Sequence, residues 1–193
     1  MKAIYIAVLG VVDGGAIDSM EIALWQTYGF DVRRLPPQDE PWFAFDSQRA
    51  QHNSVLLLRR LVQQVPVDAI KLLGVTEKDL FIPMLSFVFG QAQLNGSSAV
   101  VSLARLRQEA YGLPFHGGLL VSRAAKEAVH EVGHTFGLTH CADTTCPMAL
   151  SNNVRQVDTK GEELCRNCSI ILQENTKHIR TGAESVRSAG ARK

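Results

Sequence analysis

The sequence has no apolar run long enough to cross a membrane. Its longest, Ala3 to Val12 and Phe81 to Gly90, reach about ten residues, against the roughly twenty that a spanning helix needs. It has no excess of either charge: Lys plus Arg number 20, Asp plus Glu 19, for a formal net charge of +1. That balance gives no electrostatic reason to expect nucleic acid or an anionic membrane as the main partner. Cysteine is missing until position 141, and the four present all lie between Cys141 and Cys168. Such a distribution excludes a disulfide scaffold. There is no internal repeat, and with 46 % apolar and 20 % charged residues neither a disordered nor a collagen-like chain fits. What remains is an ordinary globular protein of 193 residues, long enough for one domain divided by a cleft.

The first apolar run follows Met1 and Lys2, where a signal peptide would stand. It ends in Asp13-Gly14-Gly15 and leads at once into a helical pattern, so a first buried strand, Ala3 to Val11, explains it better. The expectation is a cytoplasmic protein with no pro-segment before that strand. Ile17, Met20, Leu24 and Tyr28 recur at helical spacing, and Gly29 stops the helix. Phe30 to Leu35 reads as a second strand, closed by Pro36-Pro37. Asp46 or Ser47 is expected to cap a helix carrying Val55, Leu58, Leu61 and Val65, ended by Pro66. Ile70 to Val75 and Leu80 to Ile82 are short strand candidates. Ser86 to Leu94 and Ser98 to Leu106 flank Asn95-Gly96, the strongest short-range hairpin signal. A loop with Gly112, Pro114, Gly117 and Gly118 precedes a helix over Leu119 to Phe136.

From Gly137 to Gly161 polar and turn-forming residues show no period. A segment of that kind is functional, or is held by something other than a core. A short helix is expected over Asn167 to His178, and 181–193 reads as a flexible tail. The pattern implies a mixed α/β fold of the α+β type. It is read as a single domain over 1–180, with an upper part at 1–137 and a lower part at 138–180.

One segment carries chemistry: His130-Glu131-Val132-Gly133-His134-Thr135-Phe136-Gly137-Leu138-Thr139-His140. His130 and His134 stand four apart on a predicted helix, so one face can offer both to a metal ion. The apolar stripe of that helix, Ala125, Ala128, Val129, Val132 and Phe136, points roughly the other way at 100° per residue. Glu131 sits about 100° off the histidine face. It is badly placed as a ligand and well placed to take a proton from water in the ion's open position. His140 is the expected third ligand. Six further residues of helix would carry it about 9 Å along the axis, so the chain must turn back first. Gly137 stands where a left-handed residue ends a helix. The remaining histidines, His52, His116 and His178, show no partner spacing.

The cysteines fall as Cys141-x4-Cys146 and Cys165-x2-Cys168. Two short pairs in a reducing compartment read as a metal site before disulfides. A closed four-thiolate zinc would fix a segment that lacks a core, and Cys141 is joined directly to His140. Two disulfides and a redox Cys-x-x-Cys are the competing readings.

At these residues the sequence resembles the metzincin clan of zinc metallopeptidases, with HExxHxxGxxH followed by a Met-containing turn, here Cys146-Pro147-Met148. The four cysteines narrow the resemblance to the archaemetzincins. It covers residues 130 to 168. It implies a mixed twisted sheet with helices in an upper subdomain, an active-site helix, and a small irregular lower subdomain stapled by zinc. It implies two zinc ions: a catalytic one on His130, His134 and His140, and a structural one on Cys141, Cys146, Cys165 and Cys168. It makes Glu131 the catalytic general base, with Gly137 and Met148 as structural support beneath the site. The expected substrate is a peptide or protein, lying extended along an edge strand, for which the Ser86 to Leu94 arm is the candidate. Neither nucleic acid nor membrane is expected, and a monomer is favoured. The rival from another class is a catalytically weak or inactive metal-stabilised protein that binds peptides without cutting them.

Overall fold

The computed structural model describes residues 2–180, so the expected tail over 181–193 lies outside the described residues. Strand β1 (Ala3–Leu9) leads through a left-handed Gly10 into helix α1 (Gly14–Tyr28), capped by the Asp13 carboxylate accepting from the Ala16 N–H. Strand β2 (Asp31–Arg34) comes next, then the short strands β3 (Phe45–Asp46) and β4 (Gln51–Asn53), helix α2 (Ser54–Gln63), and strands β5 (Ala69–Thr76) and β6 (Leu80–Phe81). The hairpin strands are β7 (Gly90–Ala92) and β8 (Ser98–Ser102); then come helices α3 (Gly117–Thr135), α4 (Val154–Thr159) and α5 (Arg166–Arg180). No helix among the described residues is long and apolar enough to cross a membrane.

The main sheet runs β2-β1-β5-β8-β7. The first four strands are parallel, and β7 runs antiparallel to β8 at the edge. A smaller sheet, β3-β4-β6, lies apart. Parallel strands are covered on both faces, which is why β1 and β5 read as near-continuous apolar runs. Alternate residues go to opposite layers. Ile4, Ile6, Leu73, Val75 and Val101 pack with Met20 and Leu24 of α1 and Ala128 and Val132 of α3. Ala7, Leu9, Leu72 and Val100 pack with Leu57 and Leu61 of α2. The mixed α/β architecture is the one expected from the sequence.

Three local expectations are corrected. Helix α2 begins at Ser54 and is capped by Asn53, whose Oδ1 accepts from the Val55 N–H. Asp46 instead accepts from Gln48 and Arg49 within a turn, so residues 45–53 become strand-turn-strand. The helix also ends before Val65. The hairpin arms are shorter than the apolar runs: β7 spans Gly90–Ala92 and β8 stops at Ser102, after which the chain turns and the Leu106 N–H donates to the Leu103 carbonyl. Finally, the aperiodic 137–161 segment contains α4, capped by the Asn153 side chain. Six residues are too few for a period to show.

Helix α4 is fastened to α3 by ions that the sequence places far apart. Arg123 is buried and forms a paired contact with Asp158, at 2.7 and 2.8 Å, while its other nitrogen donates to the Leu106 carbonyl. Glu127 and Lys160, both buried, meet at 2.9 Å. Removing one member of a buried pair costs roughly 3–5 kcal/mol because the other charge stays behind. Asp158 keeps partial access to water, so Arg123→Ala should cost less, about 2–3 kcal/mol. A urea midpoint equal to that of wild type, at matched zinc, would show that the contact holds nothing.

Candidate active site

The site is built where α3 ends. Its last turn closes by a paired motif: the Gly137 N–H donates to the His134 carbonyl at 2.9 Å and the Leu138 N–H to the Gly133 carbonyl at 3.0 Å. Gly137 has φ +89°, a conformation that costs a residue with a Cβ. Space forbids one as well, since a Cβ there would collide with Asn95 Oδ1. The chain reverses and returns His140 to the two helical histidines.

The candidate ligand atoms of His130, His134 and His140 all lie within 4.8 Å of one another. Nδ1 of His130 donates to the Pro147 carbonyl at 2.8 Å, and Nδ1 of His134 to the Leu138 carbonyl at 2.7 Å. A carbonyl can only accept, so each Nδ1 carries the proton and each Nε2 is left with its lone pair. Those two Nε2 atoms stand 3.1 Å apart. Two lone pairs that close repel unless a cation lies beside both. Tetrahedral zinc with bonds of about 2.0–2.1 Å separates its nitrogens by about 3.3 Å, so the donor set fits that ion. Burial lowers the pKa of all three imidazoles, that of buried His130 furthest, with the Lys160 ammonium adding to the effect there. This keeps them in the neutral form that binds metal.

Glu131 shares the cleft with the three histidines. Among the described residues no hydrogen bond engages its carboxylate. Burial, and next the neighbouring Glu127, pushes its pKa well above the usual carboxylate range. Strand β7 passes directly over it at Gly90. A Cβ at that position would lie 2.6 Å from Glu131 Cγ and 2.6 Å from the Val100 carbonyl oxygen. The cleft has a volume of about 630 Å³ and runs between Phe89–Ala92 of the sheet edge and Leu150–Asn152. A second cavity of about 660 Å³, lined by α1, α3 and parts of 162–173, includes none of the histidines.

Beneath the histidines Met148 is fully buried, its sulfur 2.5 Å from where a Cβ on Gly133 would be. The Cys141 N–H donates to the Met148 carbonyl at 3.0 Å, closing the 141–148 loop. The four cysteine sulfurs lie within 4.8 Å of one another, and all four thiols are free. Cys141 and Cys165 sulfurs are 3.7 Å apart. A disulfide needs about 2.05 Å, whereas a tetrahedral ion with bonds of about 2.3 Å places its sulfurs about 3.8 Å apart. Hydrogen bonding from the Cys168 backbone lowers the Cys165 pKa, while burial raises those of Cys146 and Cys168.

Both residue groups named from the sequence therefore come together, and the other histidines do not join them. His52 packs against Trp42 and Phe45, His116 caps α3 through its Nδ1, and His178 is exposed on α5. Gly90 and the pair Glu127–Lys160 were not found by sequence reasoning. Gly90 needed the strand crossing to be known. Glu127 lies one turn before Glu131, a visible spacing, but its partner is 33 residues away.

The profile of peptidase family M54 matches residues 43–174. The chain belongs to that family, the archaemetzincins. It is 45 % identical over 145 residues to the archaemetzincin of Methanocaldococcus jannaschii, covering 75 % of this chain and 79 % of that one. The crystal structure of archaemetzincin from Methanopyrus kandleri superposes with a TM-score of 0.78 at 34 % identity, over 91 % of this chain and 96 % of that one. A zinc-dependent peptidase from Methanocorpusculum labreanum gives 0.77 at 30 % identity, over 88 % and 100 %. This archaemetzincin is accordingly a zinc metallopeptidase, a hydrolase of peptides or proteins.

Two glycines test the construction. Gly137→Ala should destabilise the protein by more than ~1 kcal/mol, because both backbone conformation and space oppose it. It should also weaken zinc retention by disturbing the return to His140. Gly90→Ala should leave zinc in place but lower activity, since β7 or Glu131 must move. Zinc content and peptide turnover measured side by side check both, and turnover by Gly90→Ala equal to wild type would show that the contact is immaterial.

Proposed function

We propose that this archaemetzincin cleaves peptide bonds with Glu131 as general base, using one zinc held by His130, His134 and His140 and a second held by Cys141, Cys146, Cys165 and Cys168. The observation that carries this reading is the convergence of three neutral imidazoles and an unengaged carboxylate in one cleft. Bound at the histidines, zinc makes water more acidic and polarises a carbonyl oxygen. The protein's own groups do the rest. The Pro147 and Leu138 carbonyls fix the ring orientations of His130 and His134. Glu131 takes a proton from the attacking water as its oxygen bonds to the carbonyl carbon. The same carboxyl then delivers that proton to the amine nitrogen as the C–N bond breaks. A burial-raised proton affinity at Glu131 suits both halves of that cycle.

β7 is hydrogen-bonded to β8 alone within the sheet. Its free edge supports the reading that an extended substrate adds there as a further strand, above Glu131. The Cys₄ ion then holds the lower part, 138–180, against the upper part, 1–137, with Cys141 anchoring the adjacent His140.

Purified protein should carry two zinc ions per chain, the histidine-bound one lost first to a chelator because its coordination is open. Glu131→Gln should keep both ions and the fold while hydrolysis of a peptide library falls about 10²- to 10⁴-fold. Wild-type turnover by that variant would remove Glu131 from the mechanism. Cys146→Ser should lower both the melting temperature and activity, since the 137–168 segment leans on its metal. Melts that superimpose on wild type would make the thiols incidental.

A further inference from the structure

The turn joining β7 to β8 is fastened to the end of α3 by a side chain that belongs to neither. Lys71 on β5 donates from Nζ to the Gly96 carbonyl at 2.6 Å and to the Thr135 carbonyl at 2.7 Å. Its ammonium also lies 4.7 Å from the centre of the Phe136 ring. Beside it the Asn95 N–H donates to the His134 carbonyl at 3.0 Å. Asn95 is left-handed, with φ +56°, and its side chain fills the space next to Gly137. The carbonyls of His134, Thr135 and Phe136 are thus met by Asn95 and Gly137, by Lys71, and by Asn175 respectively.

These carbonyls form the negative end of the helix, where a cation is stabilising. The ring face adds a cation–π contact. Burial brings the Lys71 pKa down to about 8, which still leaves the ammonium charged at neutral pH. Lys71 has no carboxylate partner among the described ion pairs, so its two charge-assisted bonds go wholly to these backbone oxygens. One oxygen belongs to the turn after the edge strand. The other belongs to the residue after His134.

We propose that Lys71 is a positioning residue: it latches the β7–β8 turn to the last turn of α3 and so sets the spacing between the strand edge and the imidazoles. This rests on the reading that a peptide docks along β7 and is hydrolysed beside Glu131. β7 has three residues and hydrogen-bonds within the sheet on one side only, so the height of its far end above the histidines rests on the ties of its turn, which are the two Lys71 bonds and the Asn95–His134 backbone bond. A displacement of about 1 Å at such a site can cost on the order of 10²-fold in rate. The loss falls on substrates long enough to bond along β7. A short peptide, held by the ion and Glu131 alone, does not report the strand's position.

The test uses the full chain with both zinc ions, as wild type, Lys71→Met and Lys71→Arg. Amide exchange followed by NMR reads the latch directly. In Lys71→Met the Asn95 and Gly96 amides should exchange about tenfold faster, with those of β8 unchanged. Activity reads its consequence. For a peptide of about eight residues kcat/KM should fall about tenfold or more, while a tripeptide with the same scissile bond changes by less than about threefold. Lys71→Arg keeps charge and donors and should recover most of both effects. Unchanged exchange at Asn95 overturns the latch. An equal loss for long and short peptides also overturns the proposal, because that is what a smaller folded fraction would produce. If wild type cleaves neither peptide, the hydrolytic reading fails and the positioning role fails with it, whereas altered exchange would still establish the contact itself.

Discussion

Residue 137 must adopt a left-handed backbone, and the candidate catalytic centre depends on that reversal. A helix can bring two imidazoles to one point from positions 130 and 134, but it carries the next turn away along its axis. A third ligand needs the chain to double back within three residues. The paired hydrogen bonds to the Gly133 and His134 carbonyls accomplish this, with Gly137 at φ +89°. The same turn supplies the Leu138 carbonyl that fixes the His134 ring. Geometry and tautomer thus come from one backbone event.

The segment beyond that turn adds Leu138, Met148, Val154, Val157 and Leu172 to the main core. Several further kinds of fastening hold it. The cysteine sulfurs cluster at metal-binding distances. Met148 inserts beneath α3 against Gly133. Arg123 and Glu127, one turn apart on α3, reach Asp158 and Lys160 around the end of α4. Buried ion pairs are weak sources of net stability but strict about geometry, since a displaced partner leaves a charge unmet. That strictness suits a segment that carries His140 and the Pro147 carbonyl.

The sheet edge meets the same helix from above. β7 crosses Glu131 at Gly90, and its far turn is bonded to the helix end. The strand, the carboxylate and the imidazoles of His130 and His134 therefore share one support, α3, which is buried along nearly its whole length. A site placed on such an element keeps its groups within narrow tolerances.

The sequence alone singled out the residues that the fold gathers at the candidate site. His130, His134, Gly137 and His140 are local, and local spacing on a helix and at its end is governed by backbone geometry that operates the same way in any fold. The cysteine pairs and the buried runs that became β1 and β5 were legible as local patterns too. Short elements were not: β3, β4 and α4 are too brief for periodicity, and the Asp46 side chain serves a turn rather than a helix. Only the tertiary structure decided which groups meet across the chain. Gly90 over Glu131, Lys160 beside Glu127, and Lys71 between Gly96 and Thr135 join residues 25 to 64 positions apart. Such contacts depend on how strands and helices stack, and hydrophobic patterning fixes the layers without fixing which polar groups face each other across them.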